Sequence, residues 1–210
     1  FFMGTVVKLN FINNSNDSNN SEIVIFQKNV STGYDELAVA WTVIQNCGVG
    51  DNHPFSYPLD MKVSASDSYG NFTPQLLAYP GQAFEVVLDR SGDILQLADS
   101  PAASVKDVEV RNSLTQGSIN ACVYRDGKLL ATKTNVVPLE KAVFQFKPTI
   151  WIGVAAEIEE GEVMDSAILS TINTEISLLG VASADIVMTG GGAGATSKPY
   201  TFKLMNVRNL

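Results

Sequence analysis

The chain is expected to be all-β: an antiparallel β-sandwich of roughly a dozen short strands with at most one short helix, built as a single domain over 1–210. Three observations lead there. Apolar and polar residues alternate in short runs along most of the chain. Turn-forming residues punctuate those runs about every 8–15 positions. The helix that a parallel α/β sheet needs after nearly every strand is missing from the pattern.

The first run, Thr5–Ile12, sets Val7, Leu9 and Phe11 against Lys8, Asn10 and Ile12. The polar stretch from Asn13 to Ser21 follows, and its side chains favour turns by bonding to nearby backbone. Ile23–Gln27 is apolar on both faces, as in a strand covered on both sides. Leu37–Ile44 holds Trp41 at its centre, and a turn-rich stretch, Asn46–Leu59, contains Cys47 and His53. Met61–Ser66 directs Met61, Val63 and Ala65 to one side. Pro80-Gly81 precedes a run at Ala83–Leu88, and Ser91-Gly92-Asp93 closes it.

Val105–Arg111 turns Val108 and Val110 away from Lys106, Asp107, Glu109 and Arg111. Asp126-Gly127, between Ala121–Arg125 and Lys128–Thr134, supplies the positive φ angles of a type I′ turn and marks a two-residue hairpin. Ala142–Phe146 and Trp151–Ala155 continue the series. Val163–Ser170 fits a strand or a short helix, because helical spacing competes with β-branched residues just after it. Glu175–Leu179, Ala184–Thr189 and Tyr200–Val207 complete the strands. The glycine run at 190–194 reads as a flexible connector that carries the last strand across the fold.

Bulk properties narrow the chemistry. The 210 residues are 45% hydrophobic and only 17% charged, with a net charge of −8. Roughly 70% of the unfolded surface is buried at this length, enough for a core without staples. No basic stripe is available to displace counterions from phosphate, so no nucleic acid is expected as a partner. No run reaches the roughly 20 apolar residues of a membrane-spanning helix. The start fits either Met3 as initiator behind two extra residues or Phe1 left by a processing cut. A secreted or cell-surface location is expected ahead of a cytoplasmic one.

Catalytic and metal chemistry draw heavily on His and Cys, and the chain has one His and two Cys. Cys47 and Cys122 can pair or pack as free thiols. His53, Cys47 and Asp51 match no closed zinc spacing, and no G-x-S-x-G nucleophile elbow occurs. Calcium needs only oxygen ligands, and Asp51 and Asp67 lie at turns, so they are its candidates; no other cofactor is expected. Glu157 and Glu159, read as one face of a strand, are the candidates for a carboxylate-dependent hydrolase. Tyr34, Tyr57, Tyr69, Phe72 and Tyr79 fall in loop-like segments, where flat rings stack on the apolar face of a pyranose. Asn-x-Ser/Thr sequons stand at Asn13, Asn16, Asn19, Asn29 and Asn71.

The expected function is therefore non-catalytic: a structural or self-associating protein with itself as partner. A carbohydrate or small-ligand module is the alternative, with a glycan as partner. The terminal runs Thr5–Ile12 and Tyr200–Val207 are the strands expected to lie at exposed edges and join copies.

Overall fold

The computed structural model describes residues 5–31 and 38–210. These form sixteen strands and one α-helix. The strands are β1 (Val6–Asn13), β2 (Glu22–Phe26), β3 (Thr42–Ile44), β4 (Asn52–Pro58), β5 (Met61–Ser66), β6 (Leu76–Ala78), β7 (Ala83–Asp89) and β8 (Gly92–Leu97). They continue as β9 (Val108–Asn112), β10 (Ile119–Arg125), β11 (Lys128–Val136), β12 (Lys141–Phe144), β13 (Thr149–Ala155), β14 (Thr174–Ser177), β15 (Val181–Gly191) and β16 (Lys198–Asn209). The helix α1 is Ser166–Thr171. The all-β class holds.

The contacts of the chain gather into two compact units. The first comprises Phe1–Lys28, Leu37–Leu59 and Pro148–Leu210; the second comprises Asn29–Glu36 and Asp60–Lys147. Each holds two four-stranded sheets. In the first unit the orders are β16-β15-β1-β4 and β14-β13-β2-β3; in the second they are β11-β10-β5-β6 and β12-β9-β7-β8. Pairing is mostly antiparallel, but β1 with β15 and β7 with β9 run parallel. Parallel neighbours need long connections, which local alternation does not register.

In the first unit the Trp41 ring lies between sheets. It is fully buried and meets Tyr57 of β4 edge-on, with centroids 5.9 Å apart at 83°, and Phe55 at 6.4 Å. The Tyr57 hydroxyl accepts from Gln27 Nε2 at 2.9 Å. A second cluster joins Val24, Phe26, Ala40, Ala155, Ile158, Met164 and Ile172, with Ile168 and Leu169 of α1 packed on it. Asp165 starts α1: its Oδ1 accepts from the Ile168 N–H at 2.8 Å, as an N-cap does. Gly153 of β13 lets Ile172 close over the sheet, since a Cβ there would stand 2.8 Å from Ile172 Cγ1. The stretch that fitted strand or helix is thus divided: Val163 bridges to Val39, and the helix begins at Ser166.

Several elements differ from the sequence reading. The turn-rich stretch 46–59 contains β4, whose Pro54 and Pro58 are tolerated because it is the last strand of its sheet. β6 and β8 are additional short strands. The glycine run does not carry the last strand across the fold. Gly190 and Gly191 end β15, and a 3-10 turn at Gly194–Thr196 returns the chain as β16 beside it. Asp126 and Gly127 have φ of 53° and 72°, joining β10 to β11 as a two-residue hairpin turn.

Gly190 is held at φ +96°, and a Cβ there would overlap the Pro199 carbonyl oxygen. Gly190→Ala is expected to lower the stability of this unit by about 2–3 kcal/mol, from backbone strain and overlap together. Gly194→Ala is the control. It also has positive φ, but a Cβ there meets nothing within 4 Å, and about 1 kcal/mol is expected. Trp41 and Trp151 are the only tryptophans and both lie in the first unit, so urea unfolding read by their fluorescence measures it directly.

Candidate functional site

Two surface features stand out, one in each unit. In the second unit, the loop after β5 turns around a single carboxylate. Asp67 Oδ1 accepts from the N–H groups of Tyr69 and Asn71, both at 2.9 Å, and Oδ2 accepts from Asn71 Nδ2 at 2.8 Å. These donors, the Asn71 side chain foremost, hold the Asp67 carboxyl below its ordinary pKa. The Asp67 N–H bonds back to Asn71 O, the Thr73 N–H to Ala65 O, and Phe72 forms a bridge with Ser66. Gly70 takes the left-handed conformation at the turn, φ +85°. The loop thus displays Tyr69, 89% exposed, and Phe72, 64% exposed, on a hydrogen-bonded frame.

Beside it lies a cleft of about 480 Å³. Asp67, Asn71 and Phe72 line it from the loop, Ser91 from the β7–β8 turn, and Gly92 and Asp93 from the start of β8. The juxtaposition of Asp93 with Phe72 is not visible in sequence, since it depends on where the hairpin falls.

The other aromatic candidates are elsewhere. Tyr57 is 1% exposed and belongs to the core against Trp41, so its ring is closed to a ligand. The Pro-rich surroundings that suggested a loop belong to an edge strand. Tyr79 is half-exposed in the turn after β6 and does not line the cleft. Tyr34 lies outside the described residues.

The carboxylate candidates serve loops. Asp51 Oδ2 accepts from the Gly48 N–H at 3.1 Å. Glu157 and Glu159 do not share a strand face: β13 ends at Ala155, and Glu157 sits at φ +56° in the following turn. Glu22 braces that turn by accepting from the Ile158 N–H at 3.0 Å, and Glu162 does so from Glu159 at 3.0 Å. Among the described residues no three His, Cys, Asp or Glu side chains gather as a metal site. Cys47 and Cys122 are free thiols in different units. Burial pushes both above the usual thiol pKa, with Asp51 adding to the effect at Cys47.

In the first unit the feature is the edge strand β16. It is the longest strand among the described residues and pairs only with β15. Met205 is 51% exposed, Val207 45% and Leu210 beyond it 73%. It bears Lys198, Lys203 and Arg208 and no acid. Asn206, at φ +49°, marks a bulge and donates from Nδ2 to Asp185 Oδ2 at 2.7 Å. Asp185 Oδ1 accepts from Asn10, and Asn10 Oδ1 accepts from Asn52, so a polar ladder crosses all four strands. At the start of β16, Tyr200 donates its hydroxyl to Asp17 Oδ1 at 2.8 Å. Burial works against the Asp17 charge, but the Ser21 and Asn19 N–H groups and Tyr200 outweigh it and hold the carboxyl low.

The first run, also expected at an edge, is interior. β1 lies between β15 and β4 and has no free side. Comparison of the chain with protein-family models, curated proteins and solved structures finds no match.

Proposed function

We propose that this protein acts without catalysis, as a self-associating structural subunit that joins a second copy through β16. The observation that carries this reading is a long edge strand with exposed apolar side chains near its end. Such an edge presents unpaired N–H and C=O groups and is a template for strand addition. Other sheet edges in the same unit are guarded. β3 and β14 are short, at three and four residues, and β4 carries two prolines.

Charge supports a copy of the same chain as partner. The three charged residues of β16 are all basic in a protein of net charge −8, so its edge attracts the acidic surface of another copy. Light scattering coupled to gel filtration tests the reading. An assembly larger than 22.6 kDa is expected, weakening as salt is raised. Met205→Glu with Val207→Glu removes the exposed apolar side chains and sets acid against the acidic surface of the second copy, and is expected to return the protein to a monomer that still unfolds cooperatively. A wild-type monomer at every concentration, or an assembly indifferent to the double substitution, rejects the proposal.

A further inference from the structure

We propose that the cleft between the 67–73 loop and the β7–β8 turn is a binding site for a neutral hexopyranose, independent of the β16 edge. Three features point to a sugar. The Phe72 ring is exposed at 64% on a rim that is itself fixed, because Asp67 ties the loop through three hydrogen bonds. A ring held in this way stacks on the C–H face of a pyranose with little ordering cost. The volume, about 480 Å³, lies in the range of small-ligand sites.

The third feature is the set of polar groups around that ring. The Asn71 amide nitrogen is engaged by Asp67, and its Oδ1 is an acceptor on a residue that lines the cleft. Ser91 and Asp93 line the opposite side. A carboxylate, an amide oxygen and a hydroxyl beside an aromatic platform accept from vicinal sugar hydroxyls while the ring covers the apolar face. Two acidic side chains, Asp67 and Asp93, line the site, which therefore selects against acidic sugars. Tyr69, outside the cleft lining but 89% exposed on the same loop, is placed to meet a second residue of a longer glycan.

Saturation-transfer NMR on the full chain tests this, with methyl β-galactoside, methyl β-glucoside and methyl α-mannoside as probes and sialic acid as the acidic comparison. Transfer is expected to at least one neutral pyranoside and not to sialic acid. Phe72→Ala is expected to weaken binding about tenfold, the loss of one aromatic contact. Asp93→Ala is expected to weaken it as well, and Tyr79→Ala to leave it unchanged. Both residues of the first pair are exposed, so their variants should keep the wild-type unfolding midpoint. No transfer to any neutral probe, equal transfer to sialic acid, or wild-type binding by both Phe72→Ala and Asp93→Ala overturns the assignment. The monomeric β16 double variant is expected to bind the same sugar, so failure of one proposal does not mimic failure of the other.

Discussion

Replacing Arg111 and Lys141 together by methionine will destabilise the second unit by about 3–5 kcal/mol at pH 7, the cost of leaving a buried charge without its partners. That charge is Glu109, whose side chain is fully buried. It receives Arg111 at 2.8 Å, Lys141 at 2.7 Å and the Ala103 N–H at 2.8 Å. Arg111 also donates to Ser100 Oγ and the Pro101 carbonyl, so the network ties the segment before β9 to the sheet. Burial opposes ionisation of Glu109, but Ala103, Lys141 and Arg111 together hold its carboxyl below the ordinary value.

The direction of the pH dependence follows. A folded-state pKa below the unfolded one, about 4.3, contributes stability above that value and loses it as pH falls through the folded pKa. In the double variant burial acts without the two cations, the folded pKa moves up, and the penalty is greatest at neutral pH. The gap between variant and wild type should therefore narrow from pH 7 to pH 4. Adding Glu109→Gln to the double variant should recover part of the loss at pH 7, since it removes the stranded charge. Urea unfolding followed by the NMR amide peaks of β9 and β12 reads all three proteins. A loss below about 1 kcal/mol, or one independent of pH, would show that the ion pairs do not hold this unit.

Trp41→Ala will cost the first unit about 3–5 kcal/mol, as large aromatic deletions from a close-packed core do. The ring has no exposed surface and meets Tyr57 and Phe55 of β4 from a residue that directly precedes β3, so it links strands of different sheets. Its loss leaves a cavity and removes the edge-on packing that positions the Tyr57 hydroxyl for Gln27. Trp41→Phe keeps part of the volume and should cost less than half as much. Trp151 remains as the fluorescent reporter, with Phe26 stacked on it at 6.4 Å and Lys28 Nζ 3.6 Å from its ring centroid. Equal stability of Trp41→Ala and wild type in urea would remove this ring from the account of the core.

Features set by neighbouring residues were legible in the chain. The all-β class follows from side chains alternating at period two, and most strands lie within a few residues of the runs that announce them. The Asp126-Gly127 hairpin was legible because two adjacent residues carry its whole backbone requirement. At the candidate cleft, Tyr69 and Phe72 were visible as loop aromatics, because Asp67 and Gly70 build that loop locally.

What lay beyond the sequence concerns partners distant along the chain. Thr5–Ile12 and Tyr200–Val207 read alike, yet one lies between two strands and the other at a border, since position in a sheet depends on which remote segments pair. Glu109 read as one of the charged residues set opposite Val108 and Val110, and only the approach of Lys141 and the segment at Ala103 buries it. Tyr57 read as a loop ring, but it lies in a strand whose edge position makes its prolines acceptable, and the ring packs inward on Trp41. Local chemistry sets backbone preference over a few residues, whereas burial and edges arise from pairings across much of the chain, which no short window of sequence contains.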